Sequence, residues 1–214
     1  MRNLKSSKKS LLVAGLFLGT MSLPMACSDD DDDNVPDEIQ QTGDVAELEG
    51  TWVSDCLANS ILDLSHTRRQ YEFGLSRSFA KIEFLYDDDA CSNQLIEYRV
   101  EGNYRTDRTN EELEGKPINF EITKASLTPG NETAADLLNG INFCDIEWAA
   151  AQTVDITNKD CMGFSVREGE TIFELYKIRD DNQLYFGQNF LFLQQTDSAE
   201  RPTELDEEVV YRHQ

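Results

Sequence analysis

Histidine is nearly missing from this chain of 214 residues, with only His66 and His213 present. Triad-type hydrolysis needs a histidine held by a carboxylate beside a nucleophile. His213 is the penultimate residue, and His66 lies in the polar stretch Ser65-His66-Thr67-Arg68 with no Gly-x-Ser-x-Gly elbow nearby. The expectation is a non-enzyme with no catalytic residues and no cofactor. Basic residues are also scarce, 19 Lys and Arg against 41 Asp and Glu, a net charge of −22. Nucleic acid and anionic lipid surfaces both require positive charge to displace counterions, so neither is an expected partner. No Cys-x-x-Cys spacing occurs, which argues against a zinc centre and leaves no metal site in the reading. No apolar run is long enough for a permanent helical span. The longest, Leu11 to Leu23, is broken by Gly15, Gly19 and Thr20.

That short run has a different use. It follows Arg2, Lys5, Lys8 and Lys9 and leads into Leu23-Pro24-Met25-Ala26-Cys27, a pattern that resembles a bacterial lipoprotein signal. Residues 1–26 are read as the signal peptide and Cys27 as the lipid anchor. Asp29 to Asp33 then form five adjacent carboxylates that repel one another and bury nothing. Residues 27–45 are therefore expected to be an acidic disordered tether. This places the protein at the bacterial outer membrane, facing the periplasm or the cell exterior. Residues 46–203 remain for a single folded domain, and 204–214 read as a polar, loosely docked tail.

Four cysteines remain in the body, Cys56, Cys91, Cys144 and Cys161. An even number in an exported chain implies two disulfides. Sequential pairing, Cys56–Cys91 and Cys144–Cys161, is favoured because it joins neighbouring strands or loops in a meander.

Period-two alternation runs through the body. Ala80, Ile82, Phe84 and Tyr86 are assigned to one buried face, with Lys81 and Glu83 on the other. Ile96, Tyr98, Val100, Gly102 and Tyr104 share a face, as do Ile118, Phe120 and Ile122. The segments 171–178 and 183–188 flank a polar turn and predict a hairpin. One helix interrupts the strands, with Asn131 as N-cap and Ala134, Leu137, Leu138 and Ile141 at helical spacing. Eight to ten short strands in one domain predict a lipocalin-like, antiparallel, disulfide-braced β-barrel, an all-β fold with one short helix.

Several motifs in their shared order carry a resemblance. They are Trp52-Val53-Ser54-x-Cys56, Arg69-x-Tyr71-x-Phe73, Tyr86-x-Asp88-x-x-Cys91 and Tyr98-x-Val100-x-Gly102-x-Tyr104. The helix around Ala134 to Asn139, Cys144 with Trp148, and the closing segments at 174–178, 184–188 and 201–203 follow in sequence. Together they resemble the adenomatosis polyposis coli down-regulated 1 family, inhibitors of Wnt signalling in animals. The resemblance implies a half-open barrel whose apolar cavity accepts an acyl chain. This chain differs in having one such domain, no C-terminal transmembrane helix and a bacterial-type anchor, so fold and pocket transfer better than partner.

The expected ligand-binding residues are Trp52, Phe73, Phe84, Tyr98, Tyr104, Phe120 and Phe186, with Arg69. Trp52 and Trp148 also read as plugs at a barrel end. For Arg69, pairing with a carboxylate on the outer face is preferred over guarding the pocket mouth. The expected function is a membrane-anchored, monomeric lipoprotein that binds an acyl chain or other lipid-like apolar ligand non-covalently. The alternative is a packed barrel serving as a surface interaction module.

Overall fold

The computed structural model describes residues 46–58, 64, 66–107, 113–179, 182–187 and 196–214. The expected signal peptide, the Cys27 anchor and the acidic tether lie outside the described residues.

The strands are β1 (Gly50–Ser54), β2 (Leu57–Ala58), β3 (His66–Phe73), β4 (Ser78–Tyr86), β5 (Gln94–Thr106) and β6 (Lys116–Pro129). Helix α1 (Glu132–Gly140) follows, then β7 (Val154–Asp155), β8 (Thr171–Arg179), β9 (Gln183–Phe186) and β10 (Tyr211–His213). Every pairing is antiparallel. The order β1-β10-β9-β8-β6-β5-β4-β3 returns to β1 through Trp52 opposite Tyr71, so eight strands close a ring. The short β2 extends β3, and β7 pairs with β6 off the ring. Among the described residues the chain is thus the antiparallel barrel with one short helix that its patterning predicts, and its ring of strands is closed.

A barrel of eight strands is just wide enough for inward side chains to fill it. Trp52, Tyr71, Phe73, Phe79, Tyr98, Tyr104, Phe120, Phe186 and Tyr211 all belong to its core. The wall bends where the β5–β6 register shifts between Glu101 and Gly102. A Cβ at Gly102 would lie 2.0 Å from the Glu121 carbonyl oxygen, so only glycine permits this close approach.

The helix begins as its sequence specifies, with Ala134 N donating to Asn131 Oδ1 at 3.0 Å, and it buries Ala134, Ala135 and Leu138. Trp148 is held just beyond it. Its ring nitrogen donates to the Phe143 carbonyl at 2.9 Å and its amide to Asn139 Oδ1 at 2.8 Å. Trp52 is 1% exposed and donates to the Leu48 carbonyl at 2.8 Å.

The cysteines pair as expected, Cys56 with Cys91 and Cys144 with Cys161. Cys56–Cys91 ties the segment after β1 to the β4–β5 connection, and Cys144–Cys161 ties the segment after α1 to the one after β7. Replacing Cys56 and Cys91 by serine should cost about 4 kcal/mol, because the bridge closes a separation of 35 residues. The same change at Cys144 and Cys161, 17 residues apart, should cost about 3 kcal/mol. Urea unfolding of the two double variants checks both the order and the size.

Two expectations are corrected. Residues 204–214 are not a loosely docked tail: Tyr211–His213 is a ring strand, and Leu205 is buried against Leu175 and Tyr185. The segment reads as polar because its ring strand has only three residues, of which Tyr211 alone is buried. The second correction concerns the faces of β4. Glu83 stands opposite Tyr98 and Lys81 opposite Val100, so Phe79, Lys81, Glu83 and Leu85 face the lumen. Ala80 and Ile82 are buried on the outer face instead, flanked across the sheet by Gln70, Glu72, Arg99 and Glu101. Arg99 bridges to Glu72 at 2.8 Å and to Glu101 at 3.2 Å, and the stems of these long side chains cover the apolar face.

Candidate ligand site in the barrel lumen

The hairpin of β3 and β4 turns tightly at Gly74, where Arg77 N donates to the Gly74 carbonyl at 3.0 Å and Gly74 N to that of Ser78 at 2.9 Å. That turn fixes the register. Phe73 faces Phe79, Tyr71 faces Lys81, and Arg69 faces Glu83. An apolar rung at the turn is therefore followed by two rungs carrying charge inside the barrel.

Arg69 Nε lies 3.7 Å from Glu83 Oε1, and Glu83 is 1% exposed. The distance is too long for a direct hydrogen bond. The Lys81 ammonium sits 5.7 Å above the Tyr71 ring. Tyr71 in turn stacks on Phe186 at 4.3 Å and meets Tyr211 edge-on at 5.3 Å. Ser54 on β1 accepts the Arg69 amide at 2.9 Å, which ties the charged rung to the closing strand. Among the described residues, Arg69 Nε, both Glu83 carboxylate oxygens and Tyr104 Oη are buried without a hydrogen-bond partner in the protein. Each such atom costs about 1–3 kcal/mol.

Burial governs the protonation of the cluster. It pushes the Glu83 carboxyl above the usual carboxylate range, against the pull of Lys81 and Arg69. Burial lowers the Lys81 ammonium, with Arg69 adding to the effect and Glu83 opposing it. Burial also works against the Arg69 charge, but Tyr211, Glu83 and Tyr71 outweigh it and hold the guanidinium above its ordinary value. The phenols of Tyr71, Tyr98 and Tyr211 are pushed upward chiefly by burial, and that of Tyr104 up to about 12.

A hollow reaches this cluster at the seam where β9 ends and β10 begins. Arg69, Tyr71, Glu174, Phe186, Gly187 and Tyr211 line it, with Asp206 and Val209 at its edge, and its free volume is about 10 Å³. That is room for one water molecule. A larger hollow of about 360 Å³ lies elsewhere, among Asn103, Tyr104, Arg105, Asn119, Glu121 and Thr171.

Of the expected ligand residues, Trp52, Phe73, Tyr98, Tyr104, Phe120 and Phe186 lie in the core. Phe73, Phe120 and Phe186 are joined by ring contacts with Tyr71. Arg69 is inside the barrel and not on the outer face, since its ladder partner Glu83 is buried. Phe84 does not join them. It alternates out of phase with Glu83, opposite Arg68 and Glu97, and is half-buried on the outer wall.

Sequence reasoning missed Tyr71, Lys81, Glu83, Glu174 and Tyr211 as site residues. A signal for three of them exists. Folding 69–83 about a turn centred on residue 76 sets Arg69 beside Glu83 and Tyr71 beside Lys81, oppositely charged or cation–aromatic pairs on one face.

Fold and lumen define a small closed antiparallel barrel with a charged rung inside an aromatic core. No family model and no curated protein matches the chain.

Proposed function

We propose that this protein is a lipoprotein of the bacterial outer membrane, anchored through Cys27, whose barrel non-covalently binds an acyl chain or similar apolar ligand. The observation that carries the reading is the set of buried polar atoms without hydrogen-bond partners in an otherwise aromatic lumen. A core selected only for stability satisfies such atoms or replaces them with apolar groups. An amphiphile supplies both what the polar atoms lack and what the rings attract. Its polar end meets Arg69 and Glu83, and its chain lies against Phe73, Phe120 and Phe186. Burial of apolar surface drives uptake, at roughly 25 cal/mol per Å².

The route in is the seam beside Phe186 and Tyr211. Both residues stand on short strands, four and three residues long, so little ladder must yield to admit a chain. The resemblance to the acyl-binding animal family supports the same reading. The acyl anchor brings the protein to a membrane from which such a ligand partitions, and the barrel acts as a monomer.

One observation favours a second reading. The hollow at Arg69 measures about 10 Å³, whereas small-molecule sites run to hundreds of Å³. On that reading the barrel is a packed interaction module whose acidic surface meets a basic partner. Retention of a lipid-class mass by the purified protein separates the two readings.

A further inference from the structure

The outer wall of a closed barrel is convex, yet a hollow of about 360 Å³ lies on it across β5, β6 and β8. Tyr104, Phe120 and Ile172 belong to the core, so their strand neighbours Asn103, Arg105, Asn119, Glu121 and Thr171 stand on the outside. The ladder sets Asn103 opposite Glu121, Glu121 opposite Thr171, and Arg105 opposite Asn119. Three features border the hollow. The register shift between Glu101 and Gly102 bends the wall beside Asn103. A turn at 167–170 reaches β6, where Gly169 N donates to the Ile122 carbonyl at 2.8 Å and Ile122 N to that of Glu170 at 2.9 Å. At the other end Arg201 donates to Asn119 Oδ1 at 2.6 Å and to the Ile118 and Glu174 carbonyls at 3.1 and 2.6 Å. Asn119 is 2% exposed, and its Nδ2 donates to Asp107 at 2.7 Å, so both ends of its amide are committed.

The other polar side chains are uncommitted. Among the described residues, those of Asn103, Arg105, Glu121 and Thr171 make no hydrogen bond or ion pair, whereas Arg99, Arg179 and Arg212 elsewhere on the outside all pair with carboxylates. Arg105 offers donors, Glu121 acceptors, and Asn103 and Thr171 both. Arg105 and Glu121, the charged side chains lining the hollow, are of opposite sign. A phosphate or other multiply charged anion would go uncompensated there, in a protein of net charge −22. The outward side chains are all polar, which does not suit an acyl chain. A neutral polyhydroxyl ligand suits them, because each hydroxyl both donates and accepts. Cross-strand neighbours stand about 5 Å apart, about the width of a pyranose ring. The volume falls in the range of small-molecule sites. We infer that this hollow is a carbohydrate site that takes one neutral sugar ring of a glycan, with Asn103, Arg105 and Glu121 bonding its hydroxyls. The site does not rest on the acyl-binding reading.

The test uses the 214-residue chain with Cys27→Ser, which prevents acylation, purified with both disulfides formed. Saturation-transfer NMR and titration calorimetry probe it with maltotriose, cellotriose and N,N′-diacetylchitobiose, which are neutral, and with trigalacturonate, which is anionic. At least one neutral probe is expected to bind saturably, and more tightly than trigalacturonate. Glu121→Ala should weaken that binding about tenfold or more, the scale of a lost hydrogen bond to a charged group, and Asn103→Ala several-fold. Neither should move the urea midpoint, because both side chains are exposed and unbonded within the protein. Asp136→Ala, on the exposed side of α1, should leave binding unchanged. No saturable binding of any neutral probe overturns the sugar assignment, as does tighter binding of trigalacturonate. Saturable binding that Asn103→Ala and Glu121→Ala leave intact overturns the site. None of these outcomes bears on the lumen, whose ligand is read by lipid retention.

Discussion

A chain that stops at Val210 should lose the closed barrel. The four missing residues remove every pairing of β10, with Trp52, Val53 and Ser54 on one side and Leu184 and Gln183 on the other. They also remove the Tyr211 ring, which contacts Tyr71 at 5.3 Å and Phe186 at 5.5 Å, and the His213 ring 5.0 Å from Trp52. Loss of one large buried aromatic costs about 3–5 kcal/mol, a large part of the 5–15 kcal/mol that stabilises a typical domain. The truncation adds two exposed strand edges, which promote association between molecules. The expected result is an aggregating or unfolded protein by size-exclusion chromatography and circular dichroism. Tyr211→Ala alone should remain folded with a much lower urea midpoint. Arg212→Ala should change stability by less than about 1 kcal/mol, because its pair with Asp55 is solvent-exposed. A truncated chain that unfolds at the same urea concentration as the full one would show that β10 does not hold the ring.

Arg69→Met should be the most damaging single change of a charged residue. It leaves the Glu83 carboxylate buried with only Lys81 to oppose its charge, and breaking a buried pair costs about 3–5 kcal/mol. The loss should depend on pH in a definite direction. Burial raises the folded pKa of Glu83 above its unfolded value, so the folded state binds the proton more tightly. The stability this group contributes is full below the unfolded pKa and is lost as pH rises through the folded pKa. Removing Arg69 raises the folded pKa further and deepens that loss. The variant should therefore approach wild type near pH 4 and fall furthest behind at neutral pH. Arg69→Met combined with Glu83→Leu should recover most of the deficit, because no uncompensated charge remains. Urea unfolding of the three proteins at pH 4.5 and 7.5 reads all of this. A deficit that is the same at both pH values would mean that Glu83 is not the group left unpaired.

The barrel was legible because alternation is a local signal. Ile96 to Tyr104 and Ile118 to Ile122 switch sides residue by residue, and each strand's buried face follows from its own composition. The helix was legible for the same reason, since Asn131 caps it by a contact three residues away. The lumen's charge was not legible. On β4 both faces carry apolar residues, so the alternation of Ala80, Ile82 and Phe84 with Lys81 and Glu83 suggests the wrong one. Only the pairing with β5, which sets Glu83 opposite Tyr98, decides. Glu174 and Tyr211 enter the site from strands distant in sequence, at the β8–β9–β10 seam, and no spacing along the chain announces that meeting. Disulfide pairing followed from sequence order because each bridge joins cysteines adjacent in the series, 35 and 17 residues apart.

The most direct test of the acyl-binding account is native mass spectrometry of the chain with Cys27→Ser, recovered from a bacterial envelope with both disulfides intact. The account predicts a bound species in the mass range of a lipid, removed by organic extraction and restored in a saturable, one-to-one fashion when lipid is added back. A bare protein mass that stays bare after lipid challenge would contradict it and make the barrel a packed interaction module.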